Sequence, residues 1–402
     1  MTVHVLTEYE RREVELPTEV VAVLVERHAT HLAVTPRPGA NRWLVVSGSY
    51  VGSIVVGEHT FLIKPKVRLR NLLAMMDIEI PSETWRREVV LLESDPDLLA
   101  VMARLFCIAC EDATRSGIRR SYMPHEERLV APRGRIDVNA LIRRPGLPVP
   151  VPCRFDEHTA DIPLNRLLRA AVELARRTPA LHPRWKRRLR AQLAEFDEVV
   201  TPVRDISWVA RWDPAPMERH YDTVVRLAYL LLTQFSLRSD IGTTATKTFL
   251  LNMNDLFEKW VTEQLRSHVS GHQVEAQHQH SLGANGQVTL KPDITWWRDR
   301  RVVAVADCKS KLLDDGIGRA PDYYQALAYA TAYDVPEAWL IYARFPGDVP
   351  AADVPIRHVD KTVRTFGIDL TGPIESAIEQ VRVLGELIVG TTASHKAQLA
   401  AT

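Results

Sequence analysis

The chain has 402 residues, of which 46% are apolar and 25% charged, with a formal net charge of +1. That size supports two or three domains with buried cores, the composition excludes a disordered or fibrous chain, and the near-neutral total neither argues for nor excludes nucleic acid, because local patches matter more than the sum. Four scattered cysteines exclude a disulfide framework, and with no leader pattern and no apolar run near the roughly 18 residues of a membrane span, a cytoplasmic protein without membrane contact is expected.

Residues 1 to about 70 read as β-rich. Short apolar or alternating runs at 20–25, 31–34, 43–46, 52–56 and 60–63 are punctuated by Pro36, Pro38, Gly39, Gly48 and Gly57. They predict a small barrel or curled sheet of structural or adaptor character. A helix is expected over about 95–118, with Asp95 and Pro96 at its start. Leu98, Leu99, Met102, Leu105, Phe106 and Ala109 recur there at helical spacing, and Gly117 is its stop. Cys107 and Cys110 form a CxxC on that apolar helix with no second pair, so they read as core residues. Arg133-Gly134-Arg135-Ile136-Asp137 could approach a phosphate backbone or pair with acids of a neighbouring domain.

Two further helices are expected over 163–177 and 182–196. The second carries five basic residues in the seven from Arg184 to Arg190, either a solvated face or a DNA-phosphate contact. The proline-bearing run at 201–216 is the best boundary before the last domain. An apolar helix follows at 218–237, then a threonine-rich loop at 242–248 that lacks the glycine spacing and final Gly-Lys of a P-loop. The expected organisation is multidomain α+β: a β-rich domain at 1–90, a helical middle region at 91–204 and an α/β domain at 205–402.

The chemistry concentrates in that last domain. A helix opening at Asn254 or Asp255 carries Glu258. Strands are expected over 272–280, over 288–296 carrying Asp293, and over 302–309 carrying Asp307 and Lys309, followed by a helix at 321–333 and a strand at 339–343. Alternation puts Asp307 and Lys309 on one face of their strand and Cys308 on the other. A turn around 298–301 would let Asp293 approach Asp307 across adjacent strands. Two such carboxylates repel one another, and a hard cation such as Mg²⁺ relieves the repulsion while keeping several waters. The Cys308 backbone carbonyl is a possible further ligand, and Glu258 could reach the ion directly or through water. Lys309 would position or deprotonate the attacking water and offset charge on a pentavalent phosphate. Gln325 shares a helix face with Tyr329 and could touch a phosphate or that water. His272, His278 and His280 lack a third clear ligand partner and read as DNA contacts or exposed residues.

Pro292-Asp293 followed by Asp307-Cys308-Lys309 resembles the motif of the PD-(D/E)xK nuclease superfamily. A longer pattern is narrower. Phe249-Leu-Leu-Asn-Met-Asn-Asp-Leu-Phe-Glu258, Leu290-Lys-Pro-Asp-Ile294, Ala306-Asp-Cys-Lys-Ser-Lys311 and Asp322-Tyr-Tyr-Gln-Ala-Leu-Ala-Tyr329 resemble the McrC family of nuclease subunits. Leu6-Thr-Glu-Tyr9, Ile63-Lys-Pro-Lys66, Arg133-Gly-Arg-Ile136 and Asp161-Ile-Pro-Leu-Asn-Arg166 extend the likeness, so it spans about 5–345. Cys308 and Ser310 depart from the residue types frequent at those places in the family. The resemblance implies a restriction-endonuclease-like fold at the C-terminus and Mg²⁺-dependent cleavage of double-stranded, modified DNA. It also implies an AAA+ GTPase ring of the McrB kind as partner, engaged and stimulated by the N-terminal region, and a homodimer or paired copies for a double-strand break. A stand-alone repair nuclease or a non-cutting activator of an AAA+ NTPase would share parts of the pattern, though intact Asp293, Asp307 and Lys309 argue against the latter.

Overall fold

The computed structural model describes residues 2–78, 89–90, 92, 95, 97–143, 149–238, 246–269, 272–283, 285–310, 320–344 and 353–399. Lys311, Pro96 and the loop at 242–245 lie outside them. Two compact units divide the chain, one made of Met1–Leu98 with Leu237–Thr402 and the other of Leu99–Ser236. These limits differ from the breaks expected at 90 and 204.

The first unit opens with β1 (Thr2–Thr7), β2 (Arg11–Glu15), α1 (Thr18–His28), β3 (Leu32–Pro36), β4 (Arg42–Ser47), β5 (Tyr50–Val56), β6 (His59–Lys64) and α2 (Leu69–Met75). The run at 20–25, expected as a strand, is helical. Val20, Val21, Leu24 and His28 are buried at the spacing of a helix face, and Glu19 and Arg27 suit the two ends of its dipole. Instead of one barrel, the strands divide between a β2-β4-β3 sheet and a sheet in the order β1-β6-β5-β11-β10. In the latter β1 runs parallel to β6, with Leu6 beside Ile63.

The second unit contains α3 (Leu98–Thr114, from its second residue onward), β7 (Ser121–Leu129), β8 (Arg135–Ile136), α4 (Val138–Ile142), β9 (Val151–Thr159), α5 (Pro163–Arg176), α6 (Pro183–Glu195) and α7 (Asp222–Gln234). The expected helices are present, but so is a β7-β9-β8 sheet that the helical reading of this region omitted. Most of β7 is solvent-exposed, so it lacks the apolar alternation that announces a strand. Cys107 and Cys110 are buried in α3, and all four cysteines are free thiols.

The chain then supplies β10 (Phe235–Arg238), β11 (Thr246–Asn252), α8 (Met253–His268), β12 (Gln273–Ala276), β13 (His280–Ser281), β14 (Thr289–Leu290), β15 (Ile294–Arg298) and β16 (Arg301–Lys309). It ends with α9 (Ala320–Ala332), β17 (Glu337–Arg344), β18 (Val354–Pro355), β19 (Thr362–Asp369) and α10 (Ile374–Leu399). The expected loop at 242–248 gives way to β11 from Thr246, which pairs antiparallel with β5 and so ties the N-terminal strands to the C-terminal half of the same unit. The second large sheet has the order β12-β15-β16-β17-β19-β18, with β16, β17 and β19 mutually parallel. Val305, Leu340, Tyr342 and Val363 of this sheet pack with Tyr323, Ala326 and Tyr329 of α9. Such burial is why β16 and β17 read as continuous apolar runs.

Candidate active site

The β15–β16 hairpin creates the site. Asp299 and Arg300 both have positive φ, the geometry of a two-residue turn that matches strand twist. Ile294 then faces Ala306, so the next step of that register brings Asp293 opposite Asp307. The strand expected over 288–296 is interrupted, and Asp293 sits in a bend just before β15 rather than within a strand. From there Asp293 Oδ2 accepts the Cys308 backbone N–H at 2.7 Å. A strand-end carboxylate thereby reaches across the hairpin to the neighbouring backbone.

On β16, Asp307 and Lys309 lie on the face that Val305 presents to α9, as alternation requires. The Lys309 ammonium touches Asp307 and donates to Gln325 Oε1 at 3.2 Å. Gln325 in turn donates to the Tyr329 hydroxyl at 2.7 Å, and that hydroxyl donates to the Lys291 carbonyl at 3.2 Å. The strand end, helix α9 and the segment before Asp293 thus share one chain of hydrogen bonds. Asp307 is only 1% exposed, and apart from the lysine ammonium its Oδ2 has no well-formed hydrogen bond.

Burial opposes ionisation of these acids. It raises the Asp293 carboxyl to about 8, with repulsion from Asp307 and Glu258 adding to the effect. Burial likewise raises Asp307, although Lys309 pulls in the opposite direction. For Lys309, burial disfavours the charge, but Asp307 outweighs it and the net shift is upward, so the side chain is an ammonium at neutral pH. Glu258 is raised chiefly by burial and accepts a 2.7 Å hydrogen bond from Gln277.

Two buried carboxylates that repel one another and share a single lysine ammonium are a donor set that fits a hard divalent cation such as Mg²⁺. Among the described residues no three His, Cys, Asp or Glu side chains converge as a metal group. Glu258 lies close enough to Asp293 and Asp307 for their charges to repel one another. A cleft of about 350 Å³ runs along α8 past Glu258, Lys259, Arg266 and Gln277, but Asp293, Asp307 and Lys309 do not line it.

Other sequence candidates have partners of their own. His278 hydrogen-bonds the Tyr333 hydroxyl at 2.9 Å and stacks edge-on to Trp297, and His280 also lies against the Tyr333 ring. Arg188 pairs with Glu111, and both Arg184 and Arg188 lie over the Trp185 ring. Arg133 lies over Phe155. Sequence reasoning missed Gln277, the holder of Glu258. It also missed Asp322, which is 4% exposed, accepts from the Tyr342 hydroxyl at 3.3 Å and adds negative charge around Asp307 and Lys309. The available signal was its place three residues before Gln325, one turn back on the same helix face.

The profile of the family described as McrBC 5-methylcytosine restriction system component matches residues 45–343. The chain belongs to that family. Among solved structures it is similar to the half-complex of Thermococcus gammatolerans McrB AAA+ hexamers with bound McrC, at 16% identity and a TM-score of 0.63, covering 95% of this chain and 98% of that one. At that identity the likeness shows a shared fold for this McrBC-family chain. A second similar structure is the cryo-EM structure of the Thermococcus gammatolerans McrBC complex, at 18% identity and a TM-score of 0.44, covering 65% of this chain and 86% of that one. A search of curated proteins gave no match. Among the described residues, no helix is long and apolar enough to cross a membrane.

Proposed function

We propose that this McrBC-family chain is the DNA endonuclease subunit of a type IV restriction system, with a PD-(D/E)xK site that hydrolyses phosphodiester bonds. The observation that carries the proposal is the convergence of Asp293, Asp307 and Lys309 at one buried hairpin end, in contact with Gln325. Asp293, Asp307 and the Cys308 carbonyl would hold Mg²⁺, which when bound supplies Lewis-acid polarisation of a phosphate oxygen and a readily ionised water.

The chain's own groups then divide the remaining tasks. Lys309 stays protonated beside Asp307, so it stabilises negative charge developing on the phosphate rather than taking a proton. Gln325 and Tyr329 fix the direction of that ammonium through their hydrogen bonds. Glu258, held by Gln277, orients water at the edge of the site. Water oxygen bonds to phosphorus and gives up a proton to solvent as the bond to one deoxyribose oxygen breaks, and that oxygen takes up a proton from solvent.

The partner is an AAA+ GTPase ring of the McrB kind, which this chain engages and stimulates. Support comes from the family and from the fold shared with a McrC bound to McrB AAA+ hexamers. DNA is the substrate, modified cytosine is the mark that directs the partner to it, and paired copies of this chain make a double-strand cut. Replacing Asp307 by Ala tests the assignment. Cleavage of plasmid by the reconstituted complex should be abolished while stimulation of GTP hydrolysis is retained. Persistent cleavage by the variant would remove Asp307 from the site.

A further inference from the structure

Between β1 and β2 the chain turns through Glu8 and Tyr9. Tyr9 has φ +58, a conformation uncommon for any residue other than glycine, so the surrounding contacts hold it there. Those contacts are many. Glu8 donates its N–H to the Lys64 carbonyl at 3.1 Å, and its buried carboxylate accepts the Lys66 N–H at 2.7 Å. Ser47 donates to the Thr7 carbonyl at 2.6 Å and accepts the Glu10 N–H at 2.9 Å. The turn is therefore rigid, and it aims one side chain outward from the N-terminal strands.

That side chain reaches the candidate active site. The Tyr9 hydroxyl lies 3.3 Å from Ser310 Oγ and donates to Asn254 Oδ1 at 3.4 Å. Ser310 itself donates to the same Asn254 oxygen. Ser310 directly follows Lys309 at the end of β16 and is 6% exposed. Asn254 stands in the first turn of α8, one turn before Glu258. The start of α8 is fixed from the N-terminal side a second time: the Met253 N–H donates to the Ser49 carbonyl at 2.9 Å, and Ser49 donates to Asn252 Oδ1 at 3.3 Å.

We infer that Tyr9 is a positioning residue, whose hydroxyl latches the end of the Asp307–Lys309 strand to helix α8 through Ser310 and Asn254. Its catalytic consequence rests on the proposed nuclease reading; the latch itself does not. Lys309 is one peptide bond from Ser310, so freedom at Ser310 becomes freedom of the ammonium relative to Asp307. The N-terminal strands and the catalytic strand consequently share one hydrogen-bond node, built from residues 301 positions apart in sequence.

The test uses the full chain with Tyr9→Phe, which removes only the hydroxyl, and Ser310→Ala as an independent second variant. Hydrogen–deuterium exchange should quicken roughly tenfold at amides 306–310 and 253–258 in both variants, with β17 unchanged. In plasmid cleavage by the complex with its motor, kcat should fall about tenfold with KM for DNA unchanged, because the hydroxyl acts on the placing of Lys309 and not on DNA binding. A purely structural role would instead lower the thermal midpoint and the fraction of active protein, leaving kcat per active site unchanged. Unchanged exchange in both variants, or a uniform rise across the whole unit, would overturn the latch. Localised exchange changes in both variants, together with a wild-type complex that cuts no DNA, would support the latch and defeat the nuclease reading.

Discussion

Asp293 and Asp307 meet where neither is comfortable as an anion. Each is raised mainly by burial, and the nearest compensating charge is a single ammonium on Lys309. A protein that used these residues only for stability would do better with apolar side chains, because isolated buried charge costs several kcal/mol. This is the physical reason that two acids and a lysine at the ends of apolar runs were legible as a site. Gln277, Asn254, Ser310 and Tyr9 were not legible as parts of it, because each acts through a partner brought close only by the fold. Glu8 offers a separate check at this scale. Burial raises its carboxyl to about 7, with the Lys66 N–H opposing the shift. The folded state thus holds a proton that the unfolded chain releases near pH 4.5, so the contribution of Glu8 to stability is fully present below that pH and is lost as pH rises through about 7. Chemical denaturation should show a loss over that window that is smaller in Glu8→Gln by up to roughly 3 kcal/mol. An identical pH slope in the two proteins would show that Glu8 is not held protonated.

At the scale of elements, strand β16, helix α9 and strand β17 matched their sequence reading closely, because each carries a strong period or a long apolar run, whereas β15 begins only after Asp293. Helix α1 did not, since a run of valines suits a strand until the burial of Val20, Val21 and Leu24 reveals one helix face. The β5–β11 pairing was also invisible, and it has a local requirement. Gly52 has φ +130, and a Cβ there would lie 2.1 Å from the Phe249 carbonyl oxygen. Only glycine lets the two backbones approach. Gly52→Ala should therefore destabilise the protein by about 2 kcal/mol or more, read as a lowered denaturation midpoint with an unchanged slope. A midpoint within error of wild type would mean that this crossing carries no constraint.

Across the whole molecule, the surprise lies in how the chain is partitioned. Sequence composition suggested successive domains at 1–90, 91–204 and 205–402, whereas the compact units join residues 1–98 to 237–402 and set 99–236 apart. Contacts such as Asn71 donating to the Leu370 carbonyl at 2.9 Å connect the two ends of the chain, and no local pattern announces them. The arrangement makes the N-terminal strands part of the same body as the candidate nuclease site, which suits a subunit whose cutting answers to a partner. Plasmid cleavage tests that account most directly. Methylated and unmethylated plasmids would be incubated with the purified chain, with and without a McrB-like GTPase, in Mg²⁺ or EDTA. The account predicts double-strand breaks in methylated plasmid only when the chain, the GTPase with GTP, and Mg²⁺ are all present. Intact plasmid in that complete mixture, or equal cutting in EDTA, would contradict it.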